Sequence, residues 1–153
     1  MFNIVLIEPE IPPNTGNVGR LCMATDSTLH LVKPLGFSLD DRHLKRAGLD
    51  YWDEVKVQLW NSFDDLQRAQ SLNTRYFFLT TKSKRAYYDV TFRPDDFLVF
   101  GRETKGLPET LLAANVANCI TIPMCGTRSL NLATAVAIVL FEGVRQQRCG
   151  VDD

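Results

Sequence analysis

An α/β fold, a mostly parallel sheet with helices on both faces, follows from two features of the chain. Short apolar runs rich in β-branched and aromatic residues alternate with loops or helical patterns, the arrangement that builds parallel βαβ units. Two of these runs, YFFL at 76–79 and FLVF at 97–100, lack polar alternation, as strands covered on both faces require.

The first run, Asn3–Ile7, leads into the short proline-containing loop EPEIPPN and then into a helix. That helix is expected to start near Asn14, a favourable N-cap type placed after Pro12 and Pro13, and to end about Asp26. At 3.6 residues per turn Val18, Leu21, Cys22 and Thr25 share one face, while Asn17 and Arg20 fall on the opposite side. Arg20 is therefore free to meet a ligand or a partner. Further strands are expected at Thr28–Val32, Val55–Leu59, Tyr76–Thr80, Phe97–Phe100 and Cys119–Ile122. The last helix begins near Ser129, and Leu132, Ala135, Val136, Val139 and Leu140 follow the spacing of a core-facing stripe.

A length of 153 residues without an internal repeat or linker reads as one domain spanning 1–153. Hydrophobic residues at 45% and charged residues at 23% exclude a disordered or collagen-like chain. Seventeen Lys and Arg against eighteen Asp and Glu exclude an indiscriminate polycation, so nucleic-acid binding has to come from local basic clusters. The opening MFNIVLIEPE has no basic n-region, and Glu8 and Pro9 interrupt it too early for a signal peptide. The longest apolar stretch, Leu130–Phe141, contains Asn131 and Thr134 and reads as a buried helix rather than a bilayer span. A cytoplasmic protein without a membrane association is expected. Cys22, Cys119, Cys125 and Cys149 form no CxxC pair, and His30 and His43 are the available imidazoles, so reduced thiols are expected and no metal site.

Three loop segments carry residues that turning alone does not need: NTGNVGRLC at 14–22, FGRETKGLP at 100–108 and IPMCGTRSLN at 122–131. In an α/β sheet, loops beyond the carboxyl ends of the strands converge on a crevice, so distant segments can build one site. Gly101 and Gly106 have the glycine spacing of a phosphate-binding loop, but Leu107 and Pro108 stand where its Lys and hydroxyl belong, which rejects a P-loop NTPase. GNVG at 16–19 likewise lacks the GxGxxG of dinucleotide-binding folds.

Taken together, IVLIEPEIPPNTGNVGRLC, GRETKGLP and IPMCGTRSLNLATAV resemble the SPOUT, or α/β-knot, RNA methyltransferases, in the branch that methylates the ribose 2'-hydroxyl of the tRNA wobble nucleotide. The resemblance covers nearly the whole chain. It implies S-adenosylmethionine as methyl donor without a metal, a homodimer, and a C-terminal deep trefoil knot, a topology that general folding rules would not propose. It also places the cofactor against Leu79, Gly101, Ile122 and Ser129, with the Leu130 backbone close by. Physically, Gly101 permits close backbone approach, and Leu79 and Ile122 could sandwich an adenine; taken singly, both also read as strand-end core residues.

Arg20 matches the family's catalytic arginine, with Asn14 in the accompanying motif position, while Glu103 and Asn131 match further functional positions. A guanidinium is a poor proton acceptor, so Arg20 is better suited to stabilising charge that develops on the 2'-oxygen or to engaging the adjacent phosphate. The alternative for Arg20 is a solvated helix-face arginine, and for Glu103 and Asn131 it is loop anchoring and capping. Arg102 stands where relatives often carry proline, and Phe141 where some have tyrosine.

The expected partner is the tRNA anticodon stem-loop, with no DNA. Arg42, His43, Lys45 and Arg46 form one basic cluster, and Lys82, Lys84 and Arg85 lie beside Tyr87 and Tyr88. Cations supply position and affinity, and aromatic rings can stack on unpaired bases. Asp40 and Asp41 beside the first cluster leave open a merely solvated, internally paired surface. Two other readings stand beside this one: ribose methylation at another tRNA or rRNA site, and a noncatalytic RNA-binding module on the same fold.

Overall fold

The computed structural model describes residues 1–47, 52–126 and 129–148; Cys149, together with Thr127 and Arg128 of the third loop segment, lies outside them. Six strands form one sheet in the order β3-β2-β1-β5-β4-β6, every pairing parallel. They are β1 (Asn3–Ile7), β2 (Thr28–Val32), β3 (Val57–Trp60), β4 (Tyr76–Leu79), β5 (Phe97–Phe100) and β6 (Cys119–Ile120). The helices are α1 (Pro12–Ala24), α2 (Arg42–Ala47), α3 (Phe63–Arg68), α4 (Glu109–Ala114) and α5 (Leu132–Arg148).

Strand side chains alternate between faces, and this period divides the core in two. On one face Ile4, Leu6, Leu29, Leu31, Leu98 and Phe100 meet Val18 and Cys22 of α1 and Val136, Val139 and Leu140 of α5. On the other, Val5, Ile7, Val32, Phe78, Phe97 and Val99 meet Leu66 of α3, with Leu111 and Leu112 of α4 packed alongside. The two-sided burial expected for FLVF is complete, since all four residues of β5 are buried. Strand β3 begins later than expected because Trp52–Glu54 turns as a short 3-10 helix and Val55 drops into the core. Strand β6 stops at Ile120, and Ile122 belongs to the loop beyond it.

Helix α1 starts at Pro12, not near Asn14. Proline at its first two positions has φ already set for a helix and no N–H to satisfy, so the start needs no side-chain cap. Asn14 is consequently inside the helix and buried. Of the expected core face Val18, Cys22 and Thr25 are buried and Leu21 is half-buried against the core, but Thr15, Gly16 and Gly19 are buried as well. Gly16 lies against Leu44 and Ala47 of α2, and Gly19 against Trp52. Arg20 points to solvent, as its helical position predicts.

Helix α5 starts at Leu132, and its cap is Asn131 rather than Ser129: Thr134 N–H donates to Asn131 Oδ1 at 3.3 Å and Ala135 N–H to Asn131 O at 2.9 Å. All five residues of the expected stripe are buried.

Cys22 and Cys119 are buried free thiols, burial pushing that of Cys22 up to about 12, while Cys125 is exposed. His30 on β2 is enclosed too. Trp60 Nε1–H donates to its Nδ1 at 3.0 Å, which leaves Nε2–H to donate to Asn3 Oδ1 at 2.9 Å, and desolvation lowers its pKa to about 4. Among the described residues no helix is long and apolar enough to cross a membrane.

Candidate functional site

The strand order changes direction between β1 and β5, whose connections run on toward opposite edges of the sheet, the place where open α/β sheets hold ligands. Beside it, beyond the carboxyl ends of β4, β5 and β6, lies a cavity of about 320 Å³. Leu79, Gly101, Ile122, Ser129 and Leu130 all line it. The loops after β5 and β6 thus meet there with the end of β4. Leu79 and Ile122 are half-buried and, besides lining the cavity, pack against the main core as strand-end residues do.

The loop 101–107 is folded tightly on itself. Gly106 N–H donates to Arg102 O at 2.8 Å and Arg102 N–H to Gly106 O at 3.2 Å, and Gly106 has φ +67°, a left-handed conformation suited to glycine. A Cβ on Gly101 would stand 2.1 Å from the Gly106 carbonyl carbon and 2.2 Å from the Leu107 nitrogen. The close approach that Gly101 permits is therefore, in the first place, that of its own loop, and a side chain there would disrupt the cavity wall itself.

Glu103 also lines the cavity, yet its carboxylate is turned to the entry of α1: Oε2 accepts from Glu10 N–H at 2.8 Å and Oε1 from Ile11 N–H at 3.1 Å. In return Glu10 Oε1 accepts from the Thr104 hydroxyl at 2.7 Å and from Thr104 N–H at 3.2 Å. The Thr104 hydroxyl, then its backbone N–H, hold the Glu10 carboxyl below its usual range. Arg102 Nε stands 3.7 Å from a Glu8 oxygen and 3.9 Å from Glu10 Oε1, a cation beside two carboxylates. Sequence reasoning overlooked Glu8, Glu10 and Thr104. The acidic residues of EPE and RET were visible, but their pairing joins positions more than ninety apart in sequence.

Asn131 donates from Nδ2 to Asn14 Oδ1 at 2.9 Å while its own Oδ1 caps α5, so one side chain ties α5 to α1. Arg20 is not among the residues lining the cavity of its own chain. Lys82 and Glu109, both on the lining, pair at 2.6 Å.

The basic clusters are partly neutralised. Lys45 lies 3.9 Å from Asp40, and Asp41 Oδ1 accepts from His43 N–H, but Arg42, His43 and Arg46 remain exposed. In the second cluster Arg85 Nη1 reaches Ala117 O at 3.4 Å, whereas the side chains of Lys84 and Tyr88 face solvent.

Six parallel strands, a cavity built from the β5 and β6 loops and a glycine-closed GRETKGLP turn define a class. The chain matches the SpoU rRNA Methylase family over residues 1–141 and belongs to it. Within that class it is similar to the tRNA (cytidine(34)-2'-O)-methyltransferase of Polaromonas sp. (strain JS666), at 50% identity over 151 residues, covering 95% of this chain and 91% of the relative. The protein of the same name from Yersinia pestis is 47% identical over 152 residues, covering 95% of this chain and 94% of its own. A solved structure concerned with the 2-OH methylation of C/U34 on tRNA superposes with a TM-score of 0.93 at 44% identity, covering 97% of both chains.

Proposed function

We propose that the chain transfers a methyl group from S-adenosylmethionine to the ribose 2'-hydroxyl of the wobble nucleotide, cytidine or uridine, in the tRNA anticodon. The observation that carries this reading is the meeting of two of the three loop segments, 100–108 and 122–131, at one cavity, in a chain whose relatives are named for this reaction.

The cavity fits the methyl donor in kind. Leu79 and Ile122 offer apolar surface for a flat base, and the tight loop at 101–107 and Leu130 complete the wall around it. S-adenosylmethionine supplies a methyl group already activated on a sulfonium. The protein's work is then to hold the two reactants in line and to meet the charge that develops on the 2'-oxygen. Arg20 takes that second task, its planar fork engaging the oxygen or the neighbouring phosphate. Glu103 and Asn131 shape the site through the contacts that brace α1 and α5.

Because Arg20 is exposed and lies outside the cavity of its own chain, the reading includes a homodimer in which Arg20 of one subunit completes the cavity of the other. Ile11, Met23 and Phe141 are exposed apolar side chains on or beside α1 and α5, surface that such an interface would cover. The C-terminal trefoil knot implied by the family resemblance belongs to the same reading. Arg42, His43, Arg46, Lys84 and Tyr88 are the exposed groups suited to the anticodon stem-loop, and a tRNA substrate places the work in the cytoplasm.

A radiolabelled methyl-transfer assay on total tRNA, followed by mapping of the product, tests the reaction. Label at the 2'-oxygen of nucleotide 34 is expected; label at another tRNA or rRNA ribose, or tRNA binding without transfer, would replace this reading. Mixing Arg20→Ala with the cavity-filling Ser129→Trp and allowing subunit exchange tests the dimer. Partial activity should return, because each mixed dimer regains one complete site.

A further inference from the structure

The loops after β1 and β5 are joined by two carboxylates that serve each other's donors. Glu103 takes the N–H groups of Glu10 and Ile11, and Glu10 takes the N–H and hydroxyl of Thr104. One side of this clasp lines the cavity, and the other leads directly into α1. Pro12 and Pro13 follow at once with their φ angles fixed, so a displacement at Ile11 is passed into the helix rather than absorbed at its start. Arg20 rides on the same helix, whose Gly16 packs against Leu44 and Ala47 and whose Gly19 packs against Trp52. Arg102, close to both Glu8 and Glu10, offsets the repulsion of bringing these carboxylates together.

We propose that Glu10 and Thr104 are positioning residues that lock α1, and with it Arg20, to the loop bordering the methyl-donor cavity. The inference rests on the function proposed above: in the dimer each clasp links the cavity of one composite site to the arginine of the other. Thr104 is exposed and its hydroxyl makes one strong contact, so its loss is a change of position rather than of core packing.

The test uses Thr104→Val, which keeps the shape and removes the hydroxyl, Thr104→Ser, which restores it, and Glu10→Ala as an independent break of the clasp. Thr104→Val and Glu10→Ala should lower kcat by about tenfold or more while S-adenosylhomocysteine affinity stays within about threefold, and Thr104→Ser should return to within about twofold of wild type. Hydrogen exchange at the Glu10 and Ile11 amides gives a readout independent of methyl transfer. It should slow when S-adenosylhomocysteine binds the wild-type protein and respond much less in Thr104→Val. Wild-type kcat in both clasp-breaking variants, failure of serine to restore, or exchange at these amides that ignores the ligand would overturn the proposal. Ligand-dependent exchange in a wild-type protein that does not methylate tRNA would leave the clasp standing and remove the substrate reading alone.

Discussion

Helices α1 and α5 pack on the same face of the sheet, yet they declare themselves in different ways. Helix α5 buries a regular apolar stripe, Leu132, Ala135, Val136, Val139 and Leu140, against an apolar sheet face. Helix α1 buries a similar stripe and, in addition, Asn14, Thr15, Gly16 and Gly19, of which Gly16 meets α2, Gly19 meets Trp52 and Asn14 bonds to Asn131. Hydrophobic periodicity reports contacts with an apolar partner and is silent about close backbone approach and hydrogen bonding. A helix that serves mainly as core is thus legible from its spacing, whereas one held on several sides by small and polar contacts is not.

The sharpest way to separate the two helices is to change the exposed side chain of α1. Arg20→Ala should lower single-turnover methyl transfer on the order of 10²–10³-fold while leaving the unfolding free energy within about 0.5 kcal/mol and S-adenosylhomocysteine affinity nearly intact. Arg20→Lys should recover little, because an ammonium lacks the planar fork. A loss of stability as large as the loss of rate would erase the distinction between the helices. The reverse pattern is expected from α5. Leu140→Ala removes a fully buried side chain and should cost about 3 kcal/mol in urea unfolding, with activity per folded molecule largely retained.

Acid titration supplies a reference that touches neither helix. His30 has its pKa lowered from 6.5 to about 4 by burial, so the unfolded chain binds the proton more readily than the folded one. The stabilisation is complete above about pH 6.5 and is lost as pH falls from there toward 4, amounting to about 2 kcal/mol between pH 7 and pH 5. His30→Gln, which can still accept from Trp60 and donate to Asn3, should flatten that stretch of the stability curve. An unchanged curve would mean that the imidazole is not the responsible group.

The smallest expected effect lies where the helices meet. Asn131→Ala removes the cap on α5 and the bond to Asn14, and should cost about 1 kcal/mol in thermal or urea unfolding. Asn131→Asp, which keeps the cap acceptor but cannot donate to Asn14, should retain more stability than Asn131→Ala and so divides the two roles.

The α/β class, three of the six strands to the residue and the apolar stripe of α5 are legible in the amino-acid order, because each rests on local periodicity and on the packing of branched and aromatic side chains. The same order singles out the loop segments, since glycines, a carboxylate and an arginine recur there beyond what turns require. The start of α1 on two prolines, the capping of α5 by Asn131 rather than Ser129 and the crowding of Gly101 by Gly106 and Leu107 emerge in the folded chain. Folding alone joins Glu10 to Thr104 and Glu103 to Ile11. The reason is physical: hydrogen bonds and close approaches between loops depend on where the ends of non-consecutive strands come to lie in the sheet, and spacing along the chain carries no record of that distance.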